Sequence, residues 1–168
     1  MPVIVLSGLG TLPAISFTTS SNQVLAKLSS VPTIAQPYTV SAVVQRRGSF
    51  TSKGFYLGGG SAVGIGFAAA TNTIDAFSST DATLARVNDS ATHAIQTLAN
   101  GASSLFYVDG TGTTKSIGAV SFSSTISVGT DGFTENMNGY VCEVGLWSGD
   151  KSANNLSVNN NQHAYWGF

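Results

Sequence analysis

The sequence predicts an all-β domain, a sandwich or barrel of short antiparallel strands, and three observations predict it. Apolar and polar residues alternate in short runs bounded by Gly, Ser, Asn, Asp or Pro, the spacing of stacked or closed sheets. Helical periodicity is nearly absent. Hairpin dipeptides stand between the runs at Asn100-Gly101, Asp109-Gly110 and Asp131-Gly132, where Asp-Gly tolerates the positive φ that a tight turn demands.

The runs place strands at about 12–18, 37–45, 53–58, 62–69, 73–78 and 83–87, then at about 91–99, 103–108, 114–119, 124–129 and 138–148. The stretch Ser104-Leu-Phe-Tyr-Val-Asp109-Gly110 carries the clearest turn, and with Asn100-Gly101 it defines a three-stranded meander pinned at both ends. The one helix candidate begins at Ser152, a capping residue, and runs through Leu156 towards Asn161. Asn-rich sequence forms helix poorly, so docking of Leu156 and the aromatic tail on the sheets is expected to hold it.

At 168 residues and 17.2 kDa the chain has the size of a single domain, 1–168. Charged residues make up only 9% while apolar ones make up 42%, which excludes the low-hydrophobicity, high-charge composition of disorder. The net charge of −1 offers no concentrated basic surface, so neither nucleic acid nor an anionic membrane is expected as a partner. The pair Arg46 and Arg47 reads as a strand end meeting solvent. A lone cysteine, Cys142, excludes an intrachain disulfide and multi-thiolate metal sites. On its alternating run it reads as a small buried hydrophobe. The start, Met1-Pro-Val-Ile-Val-Leu6, has no basic flank and is too short for the apolar core of a signal peptide. No stretch approaches the length of a membrane span.

Three stretches resemble the laminin-G-like jelly roll in order and spacing. They are Pro37-Tyr-Thr-Val-Ser-Ala-Val-Val, then Thr92-His93-Ala-Ile-Gln-Thr-Leu-Ala-Asn100-Gly101 with Leu105-Phe-Tyr-Val-Asp109-Gly110, and Asn138-Gly-Tyr-Val-Cys-Glu143-Val-Gly-Leu-Trp147. The opening Leu6-Ser-Gly-Leu-Gly-Thr-Leu-Pro-Ala-Ile-Ser-Phe17 and the ending Asn161-Gln-His-Ala-Tyr-Trp166-Gly are similar to the C-terminal part of bacterial and phage proteins related to the arabinofuranosidase B catalytic jelly roll. The resemblance implies an antiparallel two-sheet jelly-roll sandwich, concanavalin A-like, with one short C-terminal helix. It also implies a virion-surface or extracellular setting, as a decoration, fibre or spike protein in contact with host glycans, other virion proteins or further copies of itself. Low charge and the lack of a paired-carboxylate motif favour a non-catalytic binding or structural module over the alternative, an arabinofuranosidase-like glycoside hydrolase.

Glycoside hydrolysis needs two carboxyl groups flanking the bond. Glu143 is the catalytic candidate, because the resemblance puts carboxylates on the concave sheet face. Positions i+2 and i+4 hold Gly145 and Trp147 rather than a second acid, so a structural or rim role is favoured. Trp147, Tyr165 and Trp166 are candidate sugar platforms, since a flat apolar face is joined to a polar edge. Closing the sandwich with the terminal helix is their commoner role. His93, a further ligand candidate, and His163 stand seventy residues apart and read as strand-packed and surface residues, not as a metal pair. Laminin-G-like domains often hold calcium at the rim, which makes Asp131, Glu135, Asn136 and Asp89 candidate Ca2+ ligands, although their spacing is not that of an EF-hand. The glycine run from Gly58 to Gly66 lacks the Gly-Lys-Ser/Thr of a phosphate loop and reads as a hairpin. Open apolar edges in so uncharged a sandwich lead to the expectation of an oligomer.

Overall fold

The alternating runs form two antiparallel sheets stacked face to face. The computed structural model describes residues 2–18, 23–48, 53–59, 63–67, 73–85, 90–130 and 135–168. In chain order the strands are β1 (Val3–Leu9), β2 (Leu12–Phe17), β3 (Ala26–Ile34), β4 (Tyr38–Arg46), β5 (Gly54–Gly58), β6 (Val63–Phe67) and β7 (Thr73–Ser78). They continue with β8 (Asp81–Ala85), β9 (Thr92–Ala99), β10 (Ser104–Val108), β11 (Thr111–Lys115), β12 (Phe122–Val128) and β13 (Gly139–Ser148), and the helix α1 (Asn155–Trp166) follows. A seven-stranded sheet has the order β1-β2-β13-β4-β9-β10-β11 and a six-stranded sheet the order β3-β12-β5-β6-β7-β8. The insertion of β13 between β2 and β4, and of β12 between β3 and β5, gives the chain its jelly-roll crossing from sheet to sheet.

One face of each sheet supplies the core. Val40, Ala42, Val44, Ile95, Phe106 and Val108 meet Leu57, Val63, Ile65, Phe67 and Ile74, all buried. Tyr38 of β4 and Phe122 of β12 join the sheets edge to face at 4.9 Å, and each such ring contributes about 1.5–3 kcal/mol through burial. Burial raises the Tyr38 phenol to about 12.

Most expected strands are present within a residue or two, but three differences have physical causes. Strands β1 and β3 were not expected. The first is a continuous apolar run at a sheet edge, and the second is broken by Ser30 at φ 64° and by register shifts against β12, so neither alternates. The strand expected at 114–119 begins earlier, at Thr111, directly after the two-residue turn in which Asp109 and Gly110 take φ of 48° and 76°. Its residues are all exposed, while Ile117 belongs to the following loop and plugs the core. Residues 62, 68–69 and 86–87 of the expected strands, and the turn at 131–132, lie outside the described residues.

Strand β13 pairs β2 on one side and β4 on the other, with a register break between Val141 and Glu143 that leaves Cys142 as an extra residue. Burial, and then the neighbouring Glu143, push the Cys142 thiol up to about 12, so it stays protonated and unreactive at neutral pH. Arg46 ends β4, and the Arg47 guanidinium lies 5.5 Å over the Tyr140 ring. Among the described residues no helix is long and apolar enough to cross a membrane.

Candidate functional site

The outer face of the seven-stranded sheet mixes polar and apolar residues and is covered by the chain's own C-terminal segment. On β13 the outward residues are Glu143, Gly145 and Trp147, opposite Val43, Ser41 and Thr39 of β4. These β4 residues in turn face Ala94, Gln96 and Leu98 of β9. Thr39 fixes the turn out of β13: its hydroxyl donates to the Gly149 carbonyl and accepts from the Lys151 N–H, both at 3.0 Å.

Helix α1 then crosses the sheet on an unusual stripe. Its buried residues are Asn155, Asn159, Gln162 and Trp166, and Leu156 is 64% exposed. Docking through Leu156 is therefore incorrect: the residues that α1 turns to the sheet are three amides and Trp166, of which Gln162 and Trp166 meet Ser41 and Glu143 by hydrogen bonds. Gln162 Nε2 donates to Ser41 Oγ and to Glu143 Oε1, each at 3.0 Å, and Trp166 Nε1 donates to Glu143 Oε2 at 3.1 Å. Ser152 does not cap the helix. Its own N–H donates to Asp150 Oδ1 at 2.8 Å, and Asn154, at the N-cap, makes no side-chain cap bond. At the other end Gly167, at φ 73°, terminates α1 by donating to the His163 carbonyl at 2.9 Å.

Where helix and sheet diverge, a cleft of about 320 Å³ opens, lined by Gln96, Trp147, Lys151, Asn154 and Val158. Gly145 shapes it. A Cβ at this position would come within 2.3 Å of the Trp147 Cη2, so only glycine lets the indole lie flat over the strand. The ring is 41% exposed and forms an apolar wall, flanked by an ammonium and two side-chain amides. Such a wall with a few convergent polar groups is the usual make-up of a small-ligand site.

The aromatic candidates thus separate. Trp147 walls the cleft, whereas Trp166 is buried with its N–H committed to Glu143, and Tyr165 is 62% exposed outside the cleft. Glu143 has both oxygens engaged by α1, so it positions the helix.

The two histidines, which sequence separation sets apart, converge on one carboxyl group. His93 Nδ1 lies 2.8 Å from Asp109 Oδ2, and His163 Nε2 lies 3.7 Å from Oδ1. The Ala94 N–H also donates to Oδ1, at 3.0 Å. The His163 ring packs on Phe168, with centroids 4.3 Å apart. Asp109, which sequence reading assigns only to its turn, therefore ties the β10–β11 hairpin to β9 and to α1. Burial alone would raise the Asp109 carboxyl, but the His93 hydrogen bond, the Ala94 N–H and the charges of His93 and His163 outweigh it and hold the group below the usual carboxylate range.

A depressed acid contributes stability that is complete above its unfolded value and is lost as pH falls through the folded one. Asp109→Asn, which keeps a side chain tolerant of positive φ, is expected to lower stability by about 1 kcal/mol at pH 7. In urea titrations its midpoint should approach that of the parent as pH falls below about 4. A gap that stays constant down to pH 2 would remove the ion-pair explanation.

Of the calcium candidates, Glu135 and Asn136 are described. Asp89 and Asp131 lie outside the described residues. Asn136 is buried, with its backbone bridged to Phe55 and Thr130. Among the described residues no group of three His, Cys, Asp or Glu side chains is arranged to hold a metal.

No family model matches the chain, and no curated protein matches its sequence. Solved structures do match in three dimensions. The binding domain of Paraclostridial Mosquitocidal Protein 1 aligns with a TM-score of 0.71 at 12% identity, covering 98% of this chain and 46% of that one. Domain 4 of AbnA, a GH43 extracellular arabinanase from Geobacillus stearothermophilus solved with arabinotriose, aligns at 0.63 and 12% identity, covering 89% and 76%. Trypanosoma rangeli sialidase in complex with sialic acid aligns at 0.58 and 14%, covering 74% of this chain and 23% of the enzyme. This chain thus spans under half of the toxin domain and about a quarter of the sialidase. These likenesses establish the architecture: a β-sandwich of two antiparallel sheets.

Proposed function

We propose that the chain is a non-catalytic glycan-binding module whose ligand enters the cleft beside Trp147. The observation that carries this reading is the exposed indole held flat by Gly145 between Gln96, Lys151 and Asn154. An aromatic face takes the apolar side of a sugar ring while amides and an ammonium meet its hydroxyls. The structural likeness to an arabinanase domain solved with arabinotriose, and to the binding domain of a toxin, supports it. The commitment of both Glu143 oxygens to α1 favours binding over hydrolysis. The resemblance of the opening and closing segments to phage-borne jelly rolls supports a place on a virion surface. Exposure of Val3, Ile4 and Leu6 on the edge strand β1 supports self-association there.

Titration of the full chain with a panel of oligosaccharides that includes arabinotriose tests the reading. At least one member is expected to bind. Trp147→Ala should weaken that binding at least about tenfold, while Tyr165→Ala, outside the cleft, leaves it unchanged. Light scattering on the same preparation is expected to give a mass above one 17.2 kDa chain. A panel with no ligand, or binding indifferent to Trp147, would sink the proposal.

A further inference from the structure

The cleft carries a cationic side chain at its rim, balanced only in part by the neighbouring Asp150, whose carboxyl the Ser152 hydrogen bonds and, to a lesser degree, the Lys151 charge hold below the usual carboxylate range. Lys151 is exposed at its rim and enters no salt bridge with another described residue. Its backbone is fixed by Thr39, so the ammonium is tethered beside Trp147. The nearest acid in sequence, Asp150, turns back to accept the Ser152 N–H at 2.8 Å. Glu143, the other acid on this sheet face, lies on the opposite side of Gly145 from Trp147 and accepts from Gln162 and Trp166.

Two further features point the same way. Helix α1 begins at the cleft, and its first turn contributes the positive end of a dipole worth roughly half an elementary charge. Asn154, which precedes it and lines the cleft, leaves its side chain unused as a cap. Beneath them Gln96 is 5% exposed, and its Oε1 has no hydrogen-bond partner. A buried acceptor without a partner is uncommon and marks a place where a donor arrives.

We infer that the sugar unit bound here is acidic, with its ring on Trp147, its carboxylate at Lys151 and the start of α1, and its hydroxyls on Gln96 and Asn154. This rests on the glycan-binding reading above. Charge selects the ligand within this site, while the indole and the amides supply contacts that any sugar can use.

The test compares oligosaccharides ending in glucuronate or galacturonate with their glucose- or galactose-ended twins, titrated into the full chain at about 50 mM and about 500 mM salt. The acid-ended members are expected to bind at least about tenfold more tightly at low salt and to lose most of that advantage at high salt. Lys151→Gln, a surface change that keeps a polar side chain, should abolish the preference and leave residual binding of the neutral twins. Equal binding of acidic and neutral members, or a preference that survives Lys151→Gln, overturns the acidic assignment and leaves glycan binding standing. Failure of the folded parent chain to bind either set, or any member of the wider panel, overturns both.

Discussion

Glu143→Ala is expected to lower the thermal midpoint by about 5–10 °C. Its carboxyl group is the shared acceptor for two buried donors, Gln162 Nε2 and Trp166 Nε1, and α1 has little apolar surface with which to compensate. Leaving such donors without an acceptor costs about 2–3 kcal/mol, and a domain of this size loses about 2–4 °C per kcal/mol. Glu143→Gln retains one carbonyl oxygen and should fall about midway. Amide hydrogen exchange should localise the loss in α1, which opens before the sheets do. Because Asn154 and Val158 line the cleft, Glu143→Ala should also weaken ligand binding without itself touching a ligand. An unchanged midpoint, or protection lost uniformly across the sheets, would mean that the helix is held by something else.

Gly118→Ala should be more damaging, at about 3–5 kcal/mol. Gly118 has φ of 86°, and a Cβ there would sit 1.9 Å from the Ser78 carbonyl oxygen and 2.4 Å from Ser79 Oγ. The left-handed conformation alone costs a non-glycine residue about 1–2 kcal/mol. The backbone it strikes cannot yield, because Ser78 and Thr80 both donate to the Ile117 carbonyl, at 2.7 and 3.1 Å. Gln36 ties the same knot: its Nε2 donates to Ser78 Oγ and to the carbonyls of Gly118 and Val120, while its Oε1 accepts the Gly101 N–H at 2.6 Å. Chemical denaturation of the variant should show a large drop in midpoint with an unchanged slope. A drop under 1 kcal/mol would show that the loop moves freely, against the hydrogen bonds described.

The central strands were legible in the sequence because each buries one face against the other sheet, which imprints a period of two, and because Asp109-Gly110 marks its hairpin chemically. Strand β4 was legible for a further reason: both of its faces are covered, one by the core and the other by the C-terminal segment. Edges were harder. Strand β1 packs only on β2, and β11 is solvated throughout, so neither is under pressure to alternate.

The site was half legible. Trp147 could be named from its chemistry, but its neighbours could not, since Gln96, Lys151 and Asn154 come from different elements and carry no motif. The docking of α1 was misread because apolar patterning is blind to a helix held by amides. The shared carboxyl of Asp109 escaped notice because a residue that satisfies a turn gives no sign of what its side chain also holds.

The extra residue at Cys142 has a consequence for length. Counting by twos from Val141, whose side chain is in the core, would send Glu143 inward as well and leave Val144 and Leu146 in water. One inserted position resets the phase of the strand, so that its first half serves the interior and its second half offers a carboxyl group and an indole to the outside. Substitutions at Cys142 should therefore be tolerated as long as they fit, and deleting it would make Val141 and Glu143 consecutive residues opposite Val44 and Val43, a regular strand that still turns Glu143 and Trp147 outward.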